Sequence, residues 1–68
     1  MSYLIKKEVA EKIKNTFRGQ YFIDELGISK SYLSLVLTRK KKIPKRSAFA
    51  FTKLIDKDGN VLDYFDMV

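Results

Sequence analysis

The sequence lacks the residues on which much protein chemistry depends. Its 68 residues include no cysteine and no histidine, which excludes disulfides, thiolate chemistry and the common zinc ligand sets. No apolar run approaches the roughly 20 residues that a membrane-spanning helix needs. No glycine-rich phosphate loop occurs among the three glycines. We therefore expect a cytoplasmic protein that is not an enzyme and needs no metal, cofactor, membrane or small-molecule ligand.

The length of the chain limits it to one domain. A chain of 68 residues buries only roughly 60% of its unfolded surface, so its core is small. Without disulfides or a metal, that core must be stabilised by packing alone. We expect a single domain over residues 1–68.

Charge is distributed unevenly along the chain. The net charge is +6, yet residues 26–55 contain eight cations and no acid. Residues 1–25 are close to neutral, and residues 56–68 carry four acids against one cation. A basic middle between such ends is typical of a protein that binds a polyanion such as nucleic acid. A merely solvated basic surface is the alternative.

The first part of the chain predicts two helices. Apolar residues recur every four positions and indicate an amphipathic helix over residues 3–17, with Ser2 as its N-cap. These apolar residues are Ile5, Val9, Ile13 and Phe17. A shorter helix is expected over residues 20–26. Gly27 ends it, because a steep turn between packed helices requires a positive φ, which glycine adopts without steric cost.

A third helix is predicted over residues 29–38, with Ser29 as its N-cap. At 100° per residue, Leu33, Val36 and Leu37 fall on one side and form an apolar face. The opposite side, called the outer face below, consists mostly of short hydroxyl side chains that allow close approach to another molecule. Its members are Lys30, Ser31, Ser34, Leu35 and Thr38.

Six cations follow this helix within eight residues. We expect residues 39–46 to form a loop, in which Pro44 disfavours helix for the residue before it and can start the next helix. These six cations, called the basic segment below, are Arg39, Lys40, Lys41, Lys42, Lys45 and Arg46.

The last third of the chain predicts one longer helix and a tail. The helix covers residues 45–55, and its buried stripe consists of Ala48, Phe51, Leu54 and Ile55. The tail is expected as a short helix with Asn60 as N-cap. In that helix the residues turned inward are Val61, Leu62 and Phe65. A strand paired in a hairpin through residues 58 and 59 is the weaker alternative. The fold class that follows is all-α, a compact bundle of four to five short helices.

Two short helices joined at Gly27 and followed by a basic loop match the helix-turn-helix pattern. Residues 19–38, and above all the stretch GISKSYLS, resemble the two-helix motif of Cro/C1-type (xenobiotic-response-element-like) regulators. The tail LIDKDGNVLDYFDMV is similar to the ends of small regulators carried by phages and mobile elements of Gram-positive bacteria. The residues at the motif's buried positions are Phe22, Leu26, Ile28, Leu33 and Val36. The chain departs from the family at Ile23, where alanine is usual, and at Thr38-Arg39-Lys40, where glycine commonly follows the recognition helix.

The resemblance implies a lambda-repressor-like fold and a sequence-specific regulator of transcription, usually a repressor, that binds double-stranded DNA. It implies base contacts from the outer face, namely Lys30, Ser31, Ser34, Leu35 and Thr38. It implies phosphate contacts from Tyr32 and the basic segment, namely Arg39, Lys40, Lys41, Lys42, Lys45 and Arg46. A stray exposed leucine at position 35 and a ring packed on the second helix at position 32 are equally acceptable interpretations of those two residues.

Other functions stay open from the sequence. A protein-binding module, such as a phage-encoded inhibitor that reuses the fold, is one, because fold does not fix function. A nonspecific nucleic-acid-binding protein is another, although no aromatic platform for single-stranded bases is evident. On the leading interpretation we expect a homodimer, formed mainly on DNA, because one short helix contacts few base pairs and symmetry doubles the site.

Overall fold

The protein combines short helices with a small sheet. A computed structural model describes residues 1–15 and 19–68, and within them five helices pack with a three-stranded antiparallel sheet. In chain order the elements are β1 (Ser2–Ile5), α1 (Lys7–Asn15), α2 (Gly19–Leu26), α3 (Lys30–Leu37), β2 (Ile43–Pro44), α4 (Lys45–Ile55), α5 (Val61–Tyr64) and β3 (Phe65–Met67). The prediction of a mostly helical domain is confirmed, but the all-α fold class is wrong because of the sheet. The predicted core residue Phe17 lies outside the described residues.

Strand β1 occupies the positions where apolar spacing predicts the start of the first helix. Tyr3 and Ile5 are buried and the residues beside them are half-buried, which is the period of two of a strand with one covered face. Helix α1 begins only at Lys7, so Ser2 is not its N-cap. Ile5 lies four residues before Val9, and this spacing fits a helix as well as it fits the end of a strand.

The sheet brings the two ends of the described chain together. Its order is β2-β1-β3, with β1 in the centre and antiparallel to both neighbours. Tyr3 lies opposite Ile43 in β2, and Ile5 lies opposite Phe65 in β3. All four side chains are buried, so the inner face of the sheet forms one wall of the core.

The tail adopts the two predicted conformations one after the other. Asn60 caps α5 as the helical alternative predicts, and its Oδ1 accepts a hydrogen bond from the Leu62 N–H at 2.9 Å. One turn later the chain becomes β3, which pairs with β1, so the predicted hairpin through residues 58 and 59 is wrong. Val61 and Phe65 are buried as predicted, whereas Leu62 is 50% exposed.

Helices α2, α3 and α4 lie where the sequence predicts them, within one residue at each end. In α4 the predicted stripe is confirmed for Ala48 and Phe51, which are buried, while Leu54 and Ile55 are partly buried against the core. Thr52 is also fully buried, and its hydroxyl donates to the Ala48 carbonyl at 2.9 Å. That local bond satisfies the hydroxyl and makes its burial possible.

Three phenylalanine rings connect the helices to the tail. Phe22 of α2 stacks on Phe51 of α4 with ring centroids 5.5 Å apart, and Phe51 meets Phe65 of β3 edge-on at 6.1 Å. Each ring is at most 1% exposed. Because the rings come from distant parts of the sequence, the tail completes the core on which α2 and α4 pack.

Tyr64 closes the turn that leads into α5. Its hydroxyl donates to Asp56 Oδ2 at 3.0 Å, and this hydrogen bond to a carboxylate raises the pKa of Tyr64. A Cβ on Gly59 would lie 2.9 Å from both Asp56 Cβ and the Tyr64 ring. The close passage of the ring over the turn therefore requires glycine at this position.

Candidate nucleic-acid interface

The turn between α2 and α3 has the predicted local chemistry. Gly27 has a φ of 63°, and its N–H donates to the Ile23 carbonyl at 3.0 Å, which ends α2. Ser29 is the N-cap of α3, and its Oγ accepts a hydrogen bond from the Tyr32 N–H at 3.0 Å. These two residues fix the direction in which α3 leaves the turn.

The inner side of this two-helix unit is anchored in the core. Leu33, Val36 and Leu37 of α3 are buried as predicted. Of the five positions assigned from the family resemblance, Phe22, Leu33 and Val36 are buried, and Leu26 and Ile28 are partly buried against the same cluster. Ile23, the residue that departs from the family pattern, is also partly buried there.

The outer face of α3 is exposed along its whole length. All five of its residues, Lys30, Ser31, Ser34, Leu35 and Thr38, are exposed. The first four line one shallow depression at the surface. Leu35 is 42% exposed, which leaves its methyl groups available for an apolar contact. The structure thus brings the predicted base-contacting residues to one surface.

Thr38 differs from the other members of the outer face. It is the C-cap of α3, and its hydroxyl donates to the Ser34 carbonyl at 2.8 Å. The hydroxyl proton is therefore committed to the helix, and only the oxygen can take part in a further hydrogen bond. We expect its contribution to an interface to be smaller than that of Lys30 or Ser31, which lie in the first turn.

The basic segment contains more regular secondary structure than the predicted loop. Ile43 and Pro44 form β2, and Lys45 and Arg46 already belong to α4, so the description of residues 39–46 as a loop is wrong in its second half. Ile43 is 1% exposed and fixes the segment to the core. All six cations of the basic segment are nevertheless exposed, and they directly follow the outer face in sequence.

Aromatic rings hold two of these ammonium groups. Lys41 Nζ lies 5.6 Å from the centroid of the Tyr32 ring, and Lys45 Nζ lies at the same distance from the Phe49 ring. Such contacts are attractive because the face of a ring is electron-rich. Tyr32 is half-buried and also borders a small crevice of about 190 Å³ beside Arg46. Tyr32 is partly buried against the core and borders the same crevice as Leu26 of α2, in agreement with the interpretation of a ring packed on the second helix, while the phosphate contact stays a prediction.

Arg39 has a structural role that the sequence pattern did not predict. Its φ is 61°, a conformation that costs a non-glycine residue roughly 1–2 kcal/mol. Its N–H donates to the Val36 carbonyl and that of Lys40 to the Leu35 carbonyl, which is the Schellman arrangement that ends many helices. Arg39 Nε also donates to the Ile5 carbonyl at 3.0 Å. The absence of the expected glycine after α3 was the one signal of this role in the sequence.

The described residues contain no group of three or more acidic side chains that could hold a metal ion. Within the same part of the chain, no helix is long and apolar enough to cross a membrane. The candidate interface presents exposed hydroxyls, one leucine and a concentration of cations.

No protein-family model matches the sequence, and no curated protein or solved structure matches it at a significant level. The resemblance to Cro/C1-type regulators accordingly stays a prediction. It depends only on the sequence residues quoted above.

Proposed function

We propose that this protein is a sequence-specific, double-stranded-DNA-binding regulator of transcription of the Cro/C1 type. In this proposal α3 is the recognition helix and enters the major groove with its outer face. The basic segment lies along the adjacent phosphates. We further propose that it acts in the bacterial cytoplasm on a phage or mobile-element promoter.

The observation that supports this proposal best is the composition of the exposed surface of α3 and the residues after it. Most side chains of the outer face are short and none is acidic, and exposed cations directly follow this face in sequence. A duplex presents base edges at the floor of a groove and phosphates at its rims. A slim polar helix flanked by cations is complementary to both, whereas a helix exposed only to water has no need of this arrangement.

The proposal divides the interface into two kinds of contact. Lys30 and Ser31 lie in the first turn of α3, the part of a recognition helix that meets base edges in helix-turn-helix complexes. A lysine donates to guanine acceptors, serine adapts to several bases, and Leu35 suits the thymine methyl group. The ammonium and guanidinium groups of the basic segment neutralise phosphates, which provides affinity but no sequence information.

Selection of bound sequences from random duplex DNA tests the proposal directly. We expect the selected duplexes to share one site, with two inverted half-sites about 10 base pairs apart if a dimer binds, because a dimer presents two recognition helices to successive grooves. Enrichment of no shared sequence, despite binding, would favour a nonspecific nucleic-acid-binding protein. Failure to retain any duplex at low salt would contradict the proposal and favour a protein partner for α3.

A further inference from the structure

Arg39 occupies a position where its backbone is strained and where glycine would relieve the strain. The left-handed φ of 61° closes the Schellman turn at the end of α3. Backbone strain of this kind persists only where the surrounding structure imposes it, and it is a reason to look for a role of the side chain. The side chain has one, because its Nε donates to the Ile5 carbonyl across 34 positions of sequence.

The Ile5 carbonyl is a fixed point of the molecule. Ile5 ends β1, the central strand of the sheet, and its side chain is 0% exposed. Its position in the sheet is set by pairing with β3, opposite Phe65. A hydrogen bond to this carbonyl therefore ties the last turn of α3 to the centre of the sheet.

We propose that Arg39 is a positioning residue, which fixes the orientation of α3 relative to the sheet and so determines how the outer face meets a duplex. The positioning role itself rests on the contacts above. Its consequence for DNA binding rests on the proposed function. The other end of α3 is fixed by Gly27 and Ser29. Because both ends of α3 are fixed, its outer face has a single tilt relative to the sheet. Base contacts require that tilt, because a recognition site tolerates errors of only about 0.5 Å.

This role separates Arg39 from the other cations of the basic segment. A cation that only neutralises a phosphate strengthens binding to all sequences alike. A positioning residue acts on the ratio between affinity for the preferred site and affinity for random duplex. The fold therefore places in one segment a residue that governs specificity and others that govern affinity.

The test compares Arg39→Gly with Lys42→Ala. Glycine keeps the left-handed turn and removes the guanidinium, and each variant has one positive charge fewer than the wild type. We expect both variants to reduce the salt dependence of binding by a similar amount, about 0.9 in the logarithmic slope or less. Only Arg39→Gly should also lower the preference for the selected site over random duplex, by about tenfold. An unchanged preference in a folded Arg39→Gly variant would overturn the inference and leave the proposed function intact.

A measurement without DNA keeps the inference testable if the protein prefers no duplex. In the NMR spectrum of the wild type, the Arg39 Nε–H should exchange with solvent at least tenfold more slowly than that of a free arginine. In Arg39→Gly, the amide signals of α3 should broaden through exchange between orientations, while those of α4 stay sharp. Fast exchange of Nε–H in the wild type, or sharp α3 signals in the variant, would each refute the positioning role.

Discussion

At the scale of single residues, the roles that depend on local backbone conformation could be predicted from the sequence. The roles that depend on a distant contact could not. Gly27 and Ser29 were predictable because a positive φ and a helix N-cap each favour few residue types. Arg39 was not, because an arginine in a left-handed turn contradicts its own propensity and depends on a carbonyl 34 positions away. Leu35 and Thr38 were assigned to the outer face correctly, but the bond from the Thr38 hydroxyl to Ser34 depends on its rotamer.

The proposed base contacts lead to a prediction about Lys30. Lys30→Ala should weaken binding to the preferred site by about 1–3 kcal/mol, the usual size of one base-specific contact, and weaken binding to random duplex much less. Ser31→Ala should act in the same direction but more weakly, since a single hydroxyl discriminates poorly. Competition between labelled specific duplex and unlabelled random duplex measures the difference. Both residues are exposed, so both variants should fold normally.

A matched control lies on the opposite side of the same helix. Leu33 is 5% exposed, and Leu33→Ala should lower the free energy of unfolding by about 2–5 kcal/mol through the cavity it leaves. Urea unfolding followed by circular dichroism measures this. If folded Lys30→Ala and Ser31→Ala proteins keep the wild-type preference, the outer face of α3 contacts something other than bases.

At the scale of secondary-structure elements, the sequence predicts what is local and periodic. Helices α2 and α4 span about two and three turns, so apolar residues repeat often enough to identify them. Strand β1 is four residues long and its partners are distant in sequence, so nothing near it indicates pairing. For the same reason, the strand that the sequence offered as an alternative for the tail was assigned to a local hairpin rather than to pairing with β1. The exposure of the outer face and the basic segment was easier to predict than the sheet, because these residues are consecutive in sequence.

The pairing of β1 with β3 predicts that the tail is needed for folding. Phe65 is 0% exposed, and Phe65→Ala should lower the free energy of unfolding by about 3–5 kcal/mol. A domain of this length has only about 3–10 kcal/mol of stability, so the substitution should remove a large share of it and clearly lower the unfolding temperature. Thermal unfolding followed by circular dichroism measures the change.

Met67, in the same strand, is the control for Phe65. It is 49% exposed and lies opposite Tyr3, and Met67→Ala should change the free energy of unfolding by about 0.5 kcal/mol or less. Equal stability of the two variants would contradict the view that β3 closes the core. A Phe65→Ala protein that stays folded but no longer self-associates in sedimentation would make the tail an interface between copies instead.

At the scale of the whole molecule, the positive and negative segments of the chain form different structural elements. The excess of cations lies in residues 26–55, which include α3 and α4, whereas residues 56–68 carry four acids and form the turn, α5 and β3. The acidic tail packs through β3 on β1 rather than on the outer face of α3. The excess positive charge is thus concentrated in the elements that form the proposed interface. The attraction of a polyanion to this surface therefore depends on the local charge more than on the net charge of +6.

This distribution predicts how binding depends on salt. Replacing Lys40, Lys41 and Lys42 together with alanine should weaken binding to all duplexes alike. It should also reduce the slope of log affinity against log salt by about 0.9 for each phosphate that the variant no longer neutralises. All three side chains are exposed, so the variant should stay folded and lose at most about 1 kcal/mol through the contact between Lys41 and the Tyr32 ring. Affinities for specific and random duplexes at several salt concentrations measure both effects. An unchanged slope would mean that these lysines are a solvated surface, and a changed sequence preference would mean that they contact bases.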